Sequence, residues 1–175
     1  MAGKKTVIIG ADLRKPKMYL SFNHDNNKGL SNYLSGNAEI SEILTPTKID
    51  NLYFIPSGPI PPNPAELLES KEMILLIEEL KLTFDYVLID TPPICLVSDA
   101  LILMDKVDLN IYVVRQNYTK KDFLNYVDDL YSNKKIKNLS ILLNDADFSI
   151  GYGYSYGYGR YNYSSYGKGY YDDHL

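Results

Sequence analysis

The sequence predicts an α/β fold: a mainly parallel sheet flanked by helices, followed by a flexible tail. Three observations carry this. Short apolar runs rich in β-branched residues recur through residues 1–149, and such runs read as buried strands. Stretches with helical spacing of apolar residues lie between them, and strands alternating with helices indicate parallel pairing. Beyond that point the composition changes: residues 151–175, GYGYSYGYGRYNYSSYGKGYYDDHL, place no aliphatic residue between Ile150 and Leu175. A segment of that kind cannot bury enough side chain to offset its ordering entropy. The expected organisation is therefore a folded unit over 1–149 and a disordered tyrosine-rich tail over 150–175.

The elements follow in order. KTVIIG at 5–10 is a short buried strand, and ADLRKP at 11–16 is a loop that Pro16 keeps from becoming helical. Short helices are expected over 30–34, after Gly29, and over 40–44, before Pro46. A strand over 52–55 leads into the proline-rich loop SGPIPPNP at 57–64. One helix is expected over 65–83, with Leu67, Leu68, Ile74, Leu75, Ile77 and Leu80 sharing its buried face. YVLID at 86–90 is the second clear strand, ended by Thr91-Pro92-Pro93. A short helix over 99–104, a strand over 109–115, a helix over 120–132 carrying Phe123, Tyr126, Val127 and Leu130 on one side, and a strand over 139–144 complete the unit.

Several function classes are excluded. The formal net charge of −4 argues against general nucleic-acid binding, which needs a basic surface. No apolar run is long enough to span a bilayer. Cys95 is the one cysteine, so no internal disulfide can form; its apolar neighbours mark it as a packed core thiol. His24 and His174 have no second ligand at metal spacing. GKKT at 3–6 resembles the end of a phosphate loop, but it precedes a strand instead of following one and lacks the full spacing.

The chemistry is expected at the carboxyl ends of the strands, where Asp12, Asp90, Arg115 and Asn144 stand. VLID at 87–90 has the look of a Walker B strand, whose terminal aspartate can be held beside Mg²⁺ through water; a solvated strand-end carboxylate is the plainer alternative. Asp12 lies two residues beyond a similar strand, where a carboxylate can orient or deprotonate a hydroxyl next to a nucleotide phosphate. Arg14, Lys15 and Lys17 can meet phosphate or acidic side chains. The nine tail tyrosines, Tyr152, Tyr154, Tyr156, Tyr158, Tyr161, Tyr163, Tyr166, Tyr170 and Tyr171, are either a sticky low-complexity segment or an array of hydroxyl acceptors.

Taken together these residues resemble the cytoplasmic kinase domain of the bacterial tyrosine kinases that control capsule and exopolysaccharide export. VIIGADLRKP (7–16) resembles that family's Walker A′ segment, KGLSNYLSG (28–36) its following helix and loop, NLYFIPSGPIPPNPAELLES (51–70) its most specific signature, and FDYVLIDTPP (84–93) its Walker B segment; VSDA (97–100), LLND (142–145) and the terminal tyrosines follow in order. The resemblance implies a nucleotide-binding sheet of the MinD/ParA type, related to P-loop NTPases, which here would miss its first strand and its phosphate loop. It implies ATP and Mg²⁺ as cofactors. Asp90 and Asp12 would lie at the metal, Asp12 near the incoming tyrosine hydroxyl; Arg14 closes the motif, and Asn144 stands where related proteins touch the adenine. The tail tyrosines would be phosphoacceptors offered to a neighbouring subunit of a ring. Partners would be a membrane-embedded chain-length regulator with the export machinery and a tyrosine phosphatase, at the cytoplasmic face of the inner membrane.

Two departures qualify that expectation. The phosphate loop lies, in this family, N-terminal to where this sequence begins, which leaves little ATP affinity and a gap in the sheet beside the Walker B strand, as in the C-terminal part of a longer protein. Gly10 stands where the Walker A′ motif has its first aspartate, and glycine there is what a close approach of another group requires. A non-catalytic phosphoacceptor and assembly module, phosphorylated by a complete kinase, is the alternative; a partition-type ATPase is disfavoured by the tail and by GPIPPNPAELL.

Overall fold

The computed structural model describes residues 3–147; the tail tyrosines lie outside the described residues. The chain divides after Asp145, and the account below concerns the unit before that division.

Strand β1 (Thr6–Gly10) is flanked by two parallel neighbours, β3 (Leu52–Ile55) and β4 (Tyr86–Asp90). A two-residue strand, β2 (Thr45–Pro46), runs antiparallel to β3 and closes that edge, giving the order β2-β3-β1-β4. Proline suits this place because an edge strand can do without one donor. Strands β5 (Asn110–Arg115) and β6 (Leu139–Asn144) form a separate parallel pair. Among the described residues no ladder joins β4 to β5, so β4 carries an open edge where the gap beside the Walker B strand was expected.

Helices α1 (Met18–Ser21), α2 (Leu30–Leu34), α3 (Ile40–Ile43), α4 (Pro64–Glu69), α5 (Lys71–Thr83), α6 (Asp99–Met104) and α7 (Lys121–Ser132) connect the strands. The main core packs Val7 and Ile9 of β1 and Ile55 of β3 against Leu30 and Leu34 of α2, Leu68 of α4, and Met73, Leu76 and Leu80 of α5. On the opposite face of the sheet Phe54 stacks on Phe22, ring centroids 4.4 Å apart. A smaller core gathers Ile94, Ala100, Val127, Leu130 and Ile136, with Cys95 and Tyr112 packed on its margin.

The helix expected over 65–83 is two helices. Ser70 adopts extended backbone (φ −60°, ψ 161°) and its hydroxyl accepts a bond from the Met73 amide, capping α5. The interruption shifts the helical phase, so Met73 and Leu76 turn inward with Ile77 and Leu80, whereas Ile74 and Leu75 are 42% and 50% exposed. Helix α7 buries Val127 and Leu130, but Tyr126 faces solvent. Cys95 is half-buried, its sulfur 3.7 Å from the Tyr112 hydroxyl. Helix α1 and strand β2 had no counterpart in the sequence reading.

Candidate functional site at the carboxyl end of β1 and β4

Gly10 and Asp90 are register partners at the last rungs of β1 and β4, and the Ala11 amide donates to the Asp90 carbonyl at 2.8 Å. The chain then turns on Asp12. One Asp12 carboxylate oxygen accepts from the amides of Arg14 (3.0 Å) and Lys15 (2.9 Å), which ties the loop to its own acid. The two acids feel each other. Asp90 keeps part of its surface in solvent, yet the atoms crowding its carboxyl, and secondarily the charge of Asp12, push it up to about 6.

Arg14 is committed elsewhere. Its Nε and Nη2 donate to the two carboxylate oxygens of Asp99 at 2.6 and 2.9 Å, a bidentate pair between the loop after β1 and the first turn of α6. The Asp99 side chain is completely buried, whereas Arg14 is 43% exposed. Sequence reasoning quoted VSDA but assigned Asp99 no role. A signal was present: Asp99 shares a helical face with Leu103, and an acid on a buried face needs a partner.

The position of the missing Walker A′ acid is crowded. A Cβ on Gly10 would stand 2.8 Å from the Ser57 hydroxyl and 3.3 Å from the Ser57 amide, so a side chain at 10 requires Ser57 to turn aside. Ser57 is held there by the signature loop. Asn26 bonds Gly58 in both directions (Nδ2 to the carbonyl, 2.6 Å; Gly58 amide to Oδ1, 2.9 Å), Ser31 donates to the Pro59 carbonyl at 2.7 Å, and the Leu30 and Ser31 amides donate to the carbonyls of Pro56 and Ser57. Gly58 has φ +79°. Gly29 is required by close approach, because a Cβ there would run into the Pro56 carbonyl and the Gly58 amide.

The structure thus sets Asp12 beside Asp90, turns the Arg14 guanidinium to Asp99, and leaves Asn144 on the other ladder. Asn144 ends β6, its Oδ1 accepts from the Asp145 amide at 2.9 Å, and Asp145 accepts from Arg115 Nε at 2.9 Å. Among the described residues no cluster of three or more His, Cys, Asp or Glu is arranged to hold a metal. Two carboxylates fit a cation that keeps waters and phosphate oxygens in its shell, as Mg²⁺ does, and do not fit an all-protein cage. No described helix is long and apolar enough to cross a membrane.

No protein-family model matches the chain. Individual proteins do. Tyrosine-protein kinase CpsD of Streptococcus agalactiae is 38% identical over 168 residues, covering 95% of this chain and 70% of that protein. Tyrosine-protein kinase YwqD of Bacillus subtilis is 37% identical over 147 residues, covering 84% and 62%. The chain thus spans about two thirds of the length of the curated relatives it matches. Among solved structures, the chimerical protein CapA2B2 superposes with a TM-score of 0.78 at 36% identity (83% of this chain, 64% of that one). The kinase domain of Escherichia coli tyrosine kinase ETK gives 0.77 at 31% (89% and 61%). MinD of Pyrococcus horikoshii, at 0.61 and 24% identity over 80% of this chain and 56% of that one, shares the fold.

Proposed function

Because this chain belongs to the bacterial tyrosine-protein kinases, we propose that it is the Walker A′ and Walker B part of a tyrosine autokinase domain that phosphorylates its own terminal tyrosines in the control of capsule or exopolysaccharide export. The single observation that carries the reading is the paired acids, Asp12 and Asp90, at the carboxyl ends of adjacent parallel strands beside an open edge.

In this reading Asp90 holds Mg²⁺ through water and Asp12 faces the acceptor. The cation, when bound with ATP, draws charge from the β and γ phosphates. Asp12 orients the tyrosine hydroxyl and takes its proton as the oxygen bonds to the γ phosphorus and the bond to the bridging oxygen of ADP breaks. One Asp12 oxygen is already occupied by the loop amides, which leaves the other for this work. Arg14 serves the site through the loop it anchors. Asn144 is assigned to the adenine edge, and Tyr152, Tyr154, Tyr156, Tyr158, Tyr161, Tyr163, Tyr166, Tyr170 and Tyr171 are assigned as acceptors, offered to a neighbouring copy. Phosphates accumulating on one tail repel each other and their neighbours, which loosens a ring. An anchored chain-length regulator and a phosphatase complete the proposed cycle at the inner face of the membrane.

No segment of the sequence has the phosphate-loop spacing, so the test uses two versions: the chain itself, and one extended at its N-terminus by a phosphate-loop segment. Incubation with Mg–ATP followed by fragmentation mass spectrometry is expected to place phosphate within 150–175 of the extended version, with Asp12→Asn and Asp90→Asn abolishing it. Phosphate that reaches the tail only from an added complete kinase supports the acceptor-module alternative instead.

A further inference from the structure

We propose that Asp99 is a positioning residue whose task is to hold the Arg14 guanidinium away from Asp12, keeping that carboxylate available. The inference rests on the reading of Asp12 as the working acid and extends it to a residue outside both acid-bearing strands.

Two acids compete for a single cation. Arg14 follows Asp12 by two residues, and its own amide is bonded to the Asp12 carboxylate. A long cationic side chain rooted there has a carboxylate at its base. In a half-exposed loop an ion pair between the two would form readily and would neutralise the acid. Instead the guanidinium reaches 85 residues along the chain to Asp99 and engages both of its oxygens. The fork geometry matches a carboxylate bidentately, which a single lysine ammonium cannot reproduce. Asp99 is fully buried in the first turn of α6, a helix that packs on α4, so its charge needs Arg14 more than the better-solvated Asp12 does. The guanidinium still senses Asp12 as its next acid, with Asp99 the larger influence. The buried acid therefore fixes where the cation sits, and Asp12 is left with backbone amides as its described partners.

The test begins with nuclear magnetic resonance on the chain as it is, at one fixed neutral pH. The Arg14 guanidinium is expected to rotate slowly, with separate Nη resonances. Fast rotation would overturn the proposal without any variant being made. Asp99→Asn is then expected to move the Asp12 side-chain carboxyl carbon resonance, and Asp99→Asn with Arg14→Gln is expected to return it. A carboxyl resonance unmoved in a folded Asp99→Asn protein refutes the idea. In the version extended by a phosphate loop, Asp99→Asn should lower kcat roughly tenfold, less than the roughly hundredfold or more that loss of a general base costs because Asp12 itself is retained, with the KM for Mg–ATP almost unchanged, and the double variant should recover part of the loss, short of the native rate because the tie to α6 is gone. Equal impairment of single and double variants would show that Asp99 is merely structural. If the carboxyl resonance behaves as expected but Asp12→Asn leaves transfer intact, the geometric proposal stands and the assignment of Asp12 fails.

Discussion

Strands β1 and β6 are written in much the same alphabet, TVIIG and LSILLN, and end in opposite circumstances. Val7 and Ile9 are fully enclosed, whereas Ile141, Leu142 and Leu143 are each about half or more exposed. The difference lies in their neighbours. β1 has a paired strand on each side and helices α2 and α5 over one face; β6 pairs with β5 alone, and the core beside that pair is small. An apolar strand records the burial its surroundings are meant to provide; among the described residues β1 and β3 find it, whereas β4, with one open edge, leaves Tyr86 and Leu88 57% and 47% exposed. Asp90 sits at the boundary, on the open-edged strand of the better-packed half.

The sharpest way to break this contrast is truncation on each side. Phe54→Ala removes a fully buried ring stacked on Phe22 and should lose about 3–5 kcal/mol. Leu142→Ala on the exposed ladder should lose less than about 0.5 kcal/mol. Urea unfolding followed by circular dichroism reads both, and comparable losses would end the distinction.

A second change probes the close packing of the four-stranded half without touching its apolar core. Gly29→Ala forces a methyl into the Pro56 carbonyl and should destabilise by about 2–3 kcal/mol, while Gly36→Ala, open to solvent at φ +73°, is strained only locally. Equal midpoint shifts for the two would mean that the contact yields easily.

Smaller again is the cap. Ser70→Ala removes the acceptor for the Met73 amide and should lower stability by about 1 kcal/mol, with Ser70→Asp retaining most of it. A silent Ser70→Ala would indicate that α4 and α5 fuse when the cap is gone.

The smallest effect concerns the boundary residue. The folded protein holds Asp90 at about 6 against an ordinary 3.8, so it binds this proton more tightly than the unfolded chain does. That favours the fold below pH 4 and is lost as pH rises through 6. Asp90→Asn should therefore melt higher than the native chain above pH 6 and converge with it below pH 4. The gain is modest because the residue is partly solvated. A gain that grows toward acid pH would reverse the sign and contradict the crowding of that carboxyl.

Much of this was legible beforehand. The apolar runs marked five of the six strands, and the acids at 12 and 90 were placed correctly at strand ends. What escaped reading depended on partners distant in sequence. Asp99 is explained only by an arginine 85 residues away; a close approach at Gly10 was expected, but the group that makes it, Ser57, and the Pro56–Gly58 backbone against Gly29 lie far along the chain. The division of 65–83 hinged on one serine, because Leu67 through Leu80 satisfy a continuous helical period as readily as two shorter ones. The exposure of β6 could not be read at all, since its sequence is that of a buried strand.

The two-way bond between Asn26 and Gly58, with Ser31 on the Pro59 carbonyl, has a consequence for anyone exchanging parts between relatives. Residues 26–31 and 56–59 behave as lock and key cut from one chain. A graft that carries the proline-rich loop without its matching asparagine and serine would transplant the letters and leave behind what shapes them. Moving both pieces together is the smallest exchange that preserves the wall against which Gly10 is packed.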